Sequence, residues 1–212
     1  MSATAITRLV LMARWQPGAP ERLQKAALEL FTTRGFEQTT AAEIAQAVGL
    51  TERTFFRHFS DKREVLFHGQ QLLVQAFVDG VAAAPPEASP LEVVAFALRS
   101  VSHFFPDERR PQSRTRQSVI DRHPALRERE RHKMTTLATT VADALRTRGV
   151  GELQAKLAAE SGMTVFGISF VLWLRESEER SLADITDEVF GELLDLAGEA
   201  ADGVRASVAK AP

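Results

Sequence analysis

Apolar side chains recur along the chain at the three- and four-residue spacing of one helix face. An example is the set Leu23, Ala26, Ala27, Leu30 and Phe31, which would share one side of a helix. No run of alternating apolar and polar residues is long enough to predict a strand. The pattern therefore predicts an all-α fold.

The first two predicted helices have clear start and stop signals. Pro20 suits the first position of a helix, and Gly35 can adopt the left-handed conformation that ends one. Thr40 and Glu43 have the three-residue spacing of a capping box, so a second helix begins after Thr40 and ends at Gly49. The second helix is therefore short, and a few residues separate it from the first.

A third helix, predicted over residues 52–59, is capped by Thr51 and carries two phenylalanines four residues apart. Phe55 and Phe59 share one face and are expected to be buried. The second helix, a tight connection with a glycine, and this third helix have the dimensions of a helix-turn-helix. The opposite face then exposes Glu52, Arg53, Thr54, Phe56, Arg57 and His58.

Six further helices are predicted after residue 60. Asp61 and Glu64 form an acidic capping box, and the helix that they begin is expected to run to Ala84 with Leu72 and Phe77 on its buried stripe. The others are predicted at residues 90–105, 115–122, 125–148, 152–175 and 183–207, with a loop at residues 106–111. The last two have wide apolar faces, which is typical of helices that contact a second subunit.

Composition argues against several classes of function. The chain has no cysteine, which rules out disulfides and cysteine-ligated metals and favours a reducing cytoplasm. Its histidines show no metal-ligand spacing, so neither a metal nor a cofactor is predicted. No nucleophile elbow or phosphate-binding glycine loop indicates an enzyme. No run of about 18 apolar residues predicts a membrane span, and the first residues lack the pattern of a secretion signal.

Charge is divided unevenly along the chain. The net charge is −2, yet residues 1–67 carry nine basic and seven acidic side chains, whereas the remainder carries 17 and 21. A modestly basic first part followed by an acidic one is compatible with DNA binding by the first part. We therefore predict a flexible arm at residues 1–19, a helix-turn-helix domain at residues 20–67 and a larger helical domain at residues 68–212.

Several segments of the first part resemble the signature of the TetR family of transcriptional repressors. They are residues 26–31, 34–36, 39–40, 43–45, 47–51, 54–59 and 62–66. Together they cover about the first quarter of the chain. The resemblance implies a homodimeric regulator that binds double-stranded DNA with its third helix.

The resemblance also implies which side chains contact DNA. It assigns phosphate contacts to Thr40, Thr54, Phe56 and Lys62, and base or mixed contacts to Thr51, Arg53, Arg57 and His58. Phe56 stands where the family commonly has tyrosine, so a phenol-to-phosphate hydrogen bond is lost and ring packing remains. Glu52 suits the start of a helix but repels phosphate, unless it accepts from a cytosine amino group.

For residues 68–212 the resemblance implies a domain that binds a small molecule and dimerises through its last two helices. We expect a largely apolar effector whose entry shifts the fourth helix and the spacing of the two recognition helices. The side chains predicted to line its site are Phe77, Phe104, Phe105, Met134, Phe166, Phe170 and Trp173. Ordinary core packing is the alternative interpretation for each of them.

A dimeric helical scaffold that has lost DNA binding is the main alternative function. Phe56 and the small basic excess favour it. Replacement of Arg53 and Arg57 by alanine would distinguish the two hypotheses. A scaffold would still bind its partners, whereas a repressor would no longer bind its operator.

Overall fold

A computed structural model describes residues 18–208, with side chains through residue 199. In this part of the chain every regular element is a helix, with nine α-helices, two short 3-10 helices and no strand. The prediction of an all-α fold with about nine helices is confirmed. The predicted arm, residues 1–19, lies outside the described residues except for its last two.

The chain divides after Gly69 into two compact units. Of the described residues, the first unit contains α1 (Ala19–Thr33), α2 (Ala41–Ala47), α3 (Glu52–His58) and the 3-10 helix η1 (Lys62–Phe67). The second contains α4 (Gln70–Ala83), α5 (Pro90–Ser102), the 3-10 helix η2 (Asp107–Arg109), α6 (Arg110–Asp121), α7 (Pro124–Thr147), α8 (Glu152–Trp173) and α9 (Leu182–Val208).

The core of the first unit joins the apolar faces of its helices. Leu23 and Ala27 of α1 and Ile44 of α2 are fully buried, as are Phe55 of α3 and Val65 of η1. Burial of each of the larger side chains, those other than Ala27, stabilises a fold by about 1.5–3 kcal/mol. This small core therefore determines which face of α3 is turned to solvent.

α5 packs against three other helices of the second unit, α4, α8 and α9. Two of these contacts depend on glycine, with Gly80 of α4 facing Ala97 and Gly162 of α8 facing Val94. α8 and α9 also pack against each other, and α7 packs against α4 and α8. The result is a helical body with one continuous hydrophobic core.

The predicted fourth helix is interrupted. η1 spans Lys62–Phe67, the chain turns at Gly69 with φ 90°, and α4 begins one residue later. The Asp61 carboxylate accepts from the backbone N–H groups of Arg63 and Glu64, so the predicted start is right. The predicted continuity is wrong, because a positive φ cannot be accommodated inside an α-helix.

The bounds predicted around α6 are also wrong. Residues 106–111 are not simply a loop, since the chain forms η2 and begins α6 at Arg110, with Pro111 in the first turn. Arg110 and Arg114 of α6 donate to backbone carbonyls of the segment that follows α8. These contacts join residues distant in the sequence, which local patterns cannot predict.

Two further expectations for the second unit are wrong. α5 ends at Ser102, three residues before its predicted end, and Pro106 explains part of this because it disfavours helical backbone at Phe105. Leu72, expected on the buried stripe of the fourth helix, is 62% exposed. Phe77 is fully buried as predicted.

Among the described helices, α8 alone is long and apolar enough to cross a membrane by length and composition, with a mean hydropathy of 1.3. Of its most apolar 18-residue stretch, 44% is buried inside the protein. A core helix of a soluble protein has the same composition, so this feature by itself is weak support for a membrane span.

Candidate nucleic-acid interface

Two aromatic rings hold α3 in place. Phe55 is fully buried, Phe59 is nearly so, and their ring centroids lie 5.3 Å apart. The prediction that these two phenylalanines anchor α3 is confirmed. Because they occupy one face, the opposite face of α3 is turned to solvent.

Thr40 and Glu43 form the predicted capping box at the start of α2. Thr40 Oγ1 accepts from the Glu43 backbone N–H at 3.2 Å, and Glu43 Oε2 accepts from the Thr40 backbone N–H at 2.8 Å. Thr40 Oγ1 also donates to Glu43 Oε2 at 2.9 Å. The backbone N–H and hydroxyl of Thr40, together with the charge of Arg34, lower the pKa of Glu43. The start of α2 is therefore fixed, and the Thr40 hydroxyl is engaged within the protein.

The turn into α3 has the predicted geometry. Gly49 adopts φ 70°, in the left-handed region that glycine tolerates best. Thr51 Oγ1 accepts from the Thr54 backbone N–H at 3.2 Å and lies 3.0 Å from Thr54 Oγ1. This N-cap satisfies a donor that the first turn of a helix leaves free.

α3 brings four of the eight predicted contact residues together. Arg53, Thr54, Phe56 and Arg57 line an open groove of about 610 Å³. The Phe56 side chain is 50% exposed, and its ring meets that of Phe55 edge to face at 5.5 Å. Within the described residues neither arginine pairs with a carboxylate. The groove therefore offers two guanidinium groups and an aromatic surface to a partner.

His58 and Lys62 lie beyond this groove. His58 is exposed at the end of α3. Lys62 is half-buried, and its Nζ donates to the Phe36 carbonyl at 2.6 Å and lies 4.3 Å from the centre of the Phe36 ring. Lys62 thus connects η1 to the segment after α1. Only the remaining N–H groups of its ammonium are available for a contact with a phosphate.

Five of the seven side chains predicted to line an effector site form one cluster in the second unit. This aromatic cluster consists of Phe77, Phe105, Phe166, Phe170 and Trp173, with ring centroids between 5.2 and 6.1 Å apart. Phe77 and Trp173 are fully buried, whereas Phe105 and Phe170 are half-buried. Met134 packs at the edge of the same core, and Phe104 lies outside these ring contacts.

Sequence reasoning missed two polar residues at the Trp173 end of the aromatic cluster. Asp107 Oδ1 accepts from Trp173 Nε1 at 3.2 Å and from Arg110 Nη2 at 2.6 Å. These hydrogen bonds, with the charge of Arg110, lower the pKa of Asp107. Nothing in the local sequence distinguishes this pair, because a buried arginine is recognised only from its tertiary surroundings.

Six large apolar side chains of α8 and α9 are exposed in the single chain. They are Leu153, Leu157, Ile168 and Val171 of α8 and Leu194 and Leu196 of α9. Scattered exposed apolar residues are ordinary, whereas a concentration of them on neighbouring elements is typical of an interaction surface. The wide apolar faces that the sequence predicted for these helices are therefore present.

Two family models match the chain. Residues 23–68 match the model of bacterial regulatory proteins of the tetR family. Residues 88–197, more than half of the chain, match the model of the MftR C-terminal domain. The two matches together extend over most of the described residues.

Individual proteins show similarity over different lengths. The HTH-type transcriptional regulator TcmR of Streptomyces glaucescens is 40% identical over 81 residues, or 38% of this chain and only 36% of TcmR. MftR of Mycobacterium tuberculosis, a transcriptional regulator whose name connects it with mycofactocin biosynthesis, is 24% identical over 90% of this chain and 95% of its own.

A solved structure shares the fold. A transcriptional regulator from Aquifex aeolicus aligns with a TM-score of 0.51 and 17% identity, over 84% of this chain and 99% of its own. This comparison supports the all-α architecture alone.

Proposed function

Because the chain belongs to the TetR family of bacterial regulatory proteins, we propose that it is a repressor that binds a near-palindromic operator as a homodimer and releases it when a small, largely apolar effector binds. DNA-binding transcription regulation is the general role of this family. The α3 groove carries the proposal, since two exposed arginines and an aromatic ring are held there by the fully buried Phe55.

The side chains that line the α3 groove are suited to contacts in the major groove of DNA. Arg53 and Arg57 are separated by about one helical turn, and each guanidinium can donate two hydrogen bonds to guanine or contact a phosphate. Thr54 can bond a phosphate, and the Phe56 ring can pack against the DNA backbone. Two such helices in a dimer would contact half-sites about 34–36 Å apart, which makes the operator a near-palindrome.

Dimerisation would bury the exposed apolar side chains of α8 and α9. A four-helix bundle made of these two helices from each subunit would cover Leu157, Ile168 and Leu196 at once. Removal of this apolar surface from water favours association. Each subunit would then contribute one α3 to the operator.

The aromatic cluster is the proposed effector site. Its half-buried members, Phe105 and Phe170, offer apolar contact area to a ligand that reaches them from solvent. Coupling between ligand and DNA binding is typically about 1–3 kcal/mol, and it requires that the ligand bind the two states with different affinities. The proposed effector therefore binds the DNA-free form more tightly.

We assign the protein to the cytoplasm, where its DNA is. The absence of cysteine agrees with a reducing compartment.

Selection of sites from random DNA by the purified protein tests the proposal. A near-palindromic site should be recovered, bound by a dimer, and released by apolar ligands in a binding assay. If no site is enriched and the remaining weak binding disappears with added salt, the protein is a dimeric scaffold rather than a repressor.

A further inference from the structure

Two buried polar atoms without a partner lie beside the aromatic cluster. The buried polar residues of the described part are Thr39, Ser102, Arg110, Ser169 and Thr186. The hydroxyls of Thr39, Ser102 and Thr186 each donate to the backbone carbonyl four residues earlier. Ser169 Oγ and Arg110 Nε have no hydrogen-bond partner, and the third such atom of the described part, Gln70 Nε2, belongs to the first residue of α4.

Ser169 lies on the face of α8 that carries the aromatic cluster. Phe166, Ser169, Phe170 and Trp173 have the spacing of residues that share one side of a helix. Ser169 is fully buried, so water does not reach its hydroxyl. The helix face that carries the cluster therefore includes a buried polar group without a hydrogen-bond partner.

Arg110 occupies the Trp173 end of the aromatic cluster. Its guanidinium carbon lies 5.1 Å from the centre of the Trp173 ring, and the residue is only 8% exposed. Nη1 donates to the Glu178 carbonyl, and Nη2 donates to the Asp107 carboxylate and the Arg180 carbonyl, both at 2.6 Å. Each terminal nitrogen is thus engaged, whereas Nε is not.

Buried donors without partners are rare, because such a group has lost its hydrogen bonds to water and gained none. A serine in a helix can avoid this loss by bonding to the carbonyl four residues earlier, as Ser102 does. Ser169 does not use this option. Ser169 Oγ and Arg110 Nε are therefore two unused donors next to members of the aromatic cluster, and either of them can donate to an acceptor oxygen of a ligand.

Charge indicates which kind of oxygen this is. The positive charge of Arg110 is already balanced by Asp107, whose carboxylate lies within hydrogen-bond distance. A ligand carboxylate would bring a second negative charge close to Asp107 and would lose its hydration on burial. A neutral carbonyl oxygen accepts hydrogen bonds without adding a charge.

On the basis of the effector site proposed above, we propose that the effector is an uncharged apolar molecule with a carbonyl oxygen. This oxygen accepts a hydrogen bond from Arg110 Nε or Ser169 Oγ, while the apolar part of the molecule contacts the aromatic cluster.

Matched probes that differ by one oxygen test this inference. Benzophenone and diphenylmethane share a scaffold, as do acetophenone and ethylbenzene, and diphenylacetate supplies a carboxylate. The chain has two tryptophans, so the Trp15→Phe variant has a single indole N–H signal in its NMR spectrum, that of Trp173. The shift of this signal as a probe is added to the full-length variant measures the affinity for that probe. We expect at least one ketone to bind about tenfold more tightly than its hydrocarbon.

A pair of serine variants separates recognition from folding. Ser169→Ala removes an unpaired hydroxyl and should keep the melting temperature. If Ser169 Oγ is the donor, this variant should also reduce the preference for the ketone by about threefold to tenfold, whereas if Arg110 Nε is the donor, Arg110→Lys should do so. Ser102→Ala removes a buried hydroxyl that is already bonded to Leu98, and should leave the preference unchanged.

Three results would overturn the inference. Equal affinity for ketone and hydrocarbon, or the highest affinity for diphenylacetate, would show that the site does not recognise a neutral carbonyl. Either result would still be consistent with an effector site at the aromatic cluster. If neither single variant, Ser169→Ala or Arg110→Lys, changes the preference for the ketone, then neither side chain donates to its carbonyl oxygen. Binding of none of the probes overturns the inference and the apolar effector of the proposed function, while operator binding, measured without ligand, judges the DNA-binding part separately.

Discussion

Gly80 and Ala97 meet backbone to backbone where α4 packs on α5, since a Cβ atom added at position 80 would lie 2.7 Å from the Ala97 Cα. A second close contact joins α8 to α5, where a Cβ atom on Gly162 would lie 2.3 Å from Val94 Cγ1. Both glycines are buried. α5 is thus packed between two helices that approach it more closely than a larger side chain would permit.

We expect Gly80→Ala to lower the free energy of unfolding by about 1–3 kcal/mol, because the backbone of α4 must move away from α5. Gly167→Ala is the matched control, since no atom lies within 4 Å of a Cβ at that helical position. There the stability should stay the same or rise by up to about 1 kcal/mol. Urea denaturation followed by circular dichroism measures both, and equal effects would contradict the packing described.

Leu157→Glu is expected to separate the dimer into monomers, because it puts a charge into the proposed interface of α8. Leu72→Glu is a matched control on α4, since Leu72 and Leu157 have nearly the same exposed fraction, 62% and 60%. Sedimentation velocity should show a monomer for the first variant and a dimer for the second. A dimer in both cases would exclude this part of α8 from the interface.

Replacement of Lys62 by alanine should mainly lower the stability of the fold, whereas replacement of Arg57 should mainly lower the affinity for DNA. Lys62→Ala loses the hydrogen bond to the Phe36 carbonyl and the contact with its ring, so the free energy of unfolding should fall by about 1–2 kcal/mol. Arg57→Ala should leave stability within about 0.5 kcal/mol while weakening operator binding. Thermal denaturation and DNA titration of both variants test this, and an unchanged stability of Lys62→Ala would show that its tie to Phe36 contributes nothing.

The pH dependence of stability tests the turn after α8. Hydrogen bonds from Arg180 lower the pKa of Glu178 to about 2. Because the folded-state pKa lies below the unfolded value, this carboxylate stabilises the fold above about pH 4.5, and the contribution is lost as pH falls toward about 2. Wild type should exceed Glu178→Gln in urea stability at neutral pH, and the difference should shrink below about pH 4. A constant difference would contradict the pairing.

The helix-turn-helix was predictable because its determinants are local. The Thr40–Glu43 box, the Thr51 cap and the positive φ of Gly49 all depend on residues within a few positions of each other. Phe55 and Phe59 were predictable as anchors because their spacing alone puts them on one face.

The remaining features depend on tertiary contacts. Arg110 and Arg114 of α6 bind carbonyls 70 and 60 residues further along the chain, and local spacing cannot predict such contacts. Pro111 in the first turn of α6 is the one local signal for its start. The exposure of Leu72 likewise depends on which helices cover α4. The glycine at position 69 was a local signal for the break between η1 and α4. The apolar pattern continues across it, however, and predicted a single helix.

Binding of the selected operator by Arg53→Ala/Arg57→Ala tests the central claim most directly. The control, Arg122→Ala/Arg131→Ala, removes the same charge from two exposed arginines of the second unit. Across a salt series we expect the α3 variant to lose operator affinity by at least about a hundredfold, because each arginine contact contributes about 1–3 kcal/mol, while the control stays close to wild type. Equal operator affinity of the two double variants would contradict DNA recognition by α3.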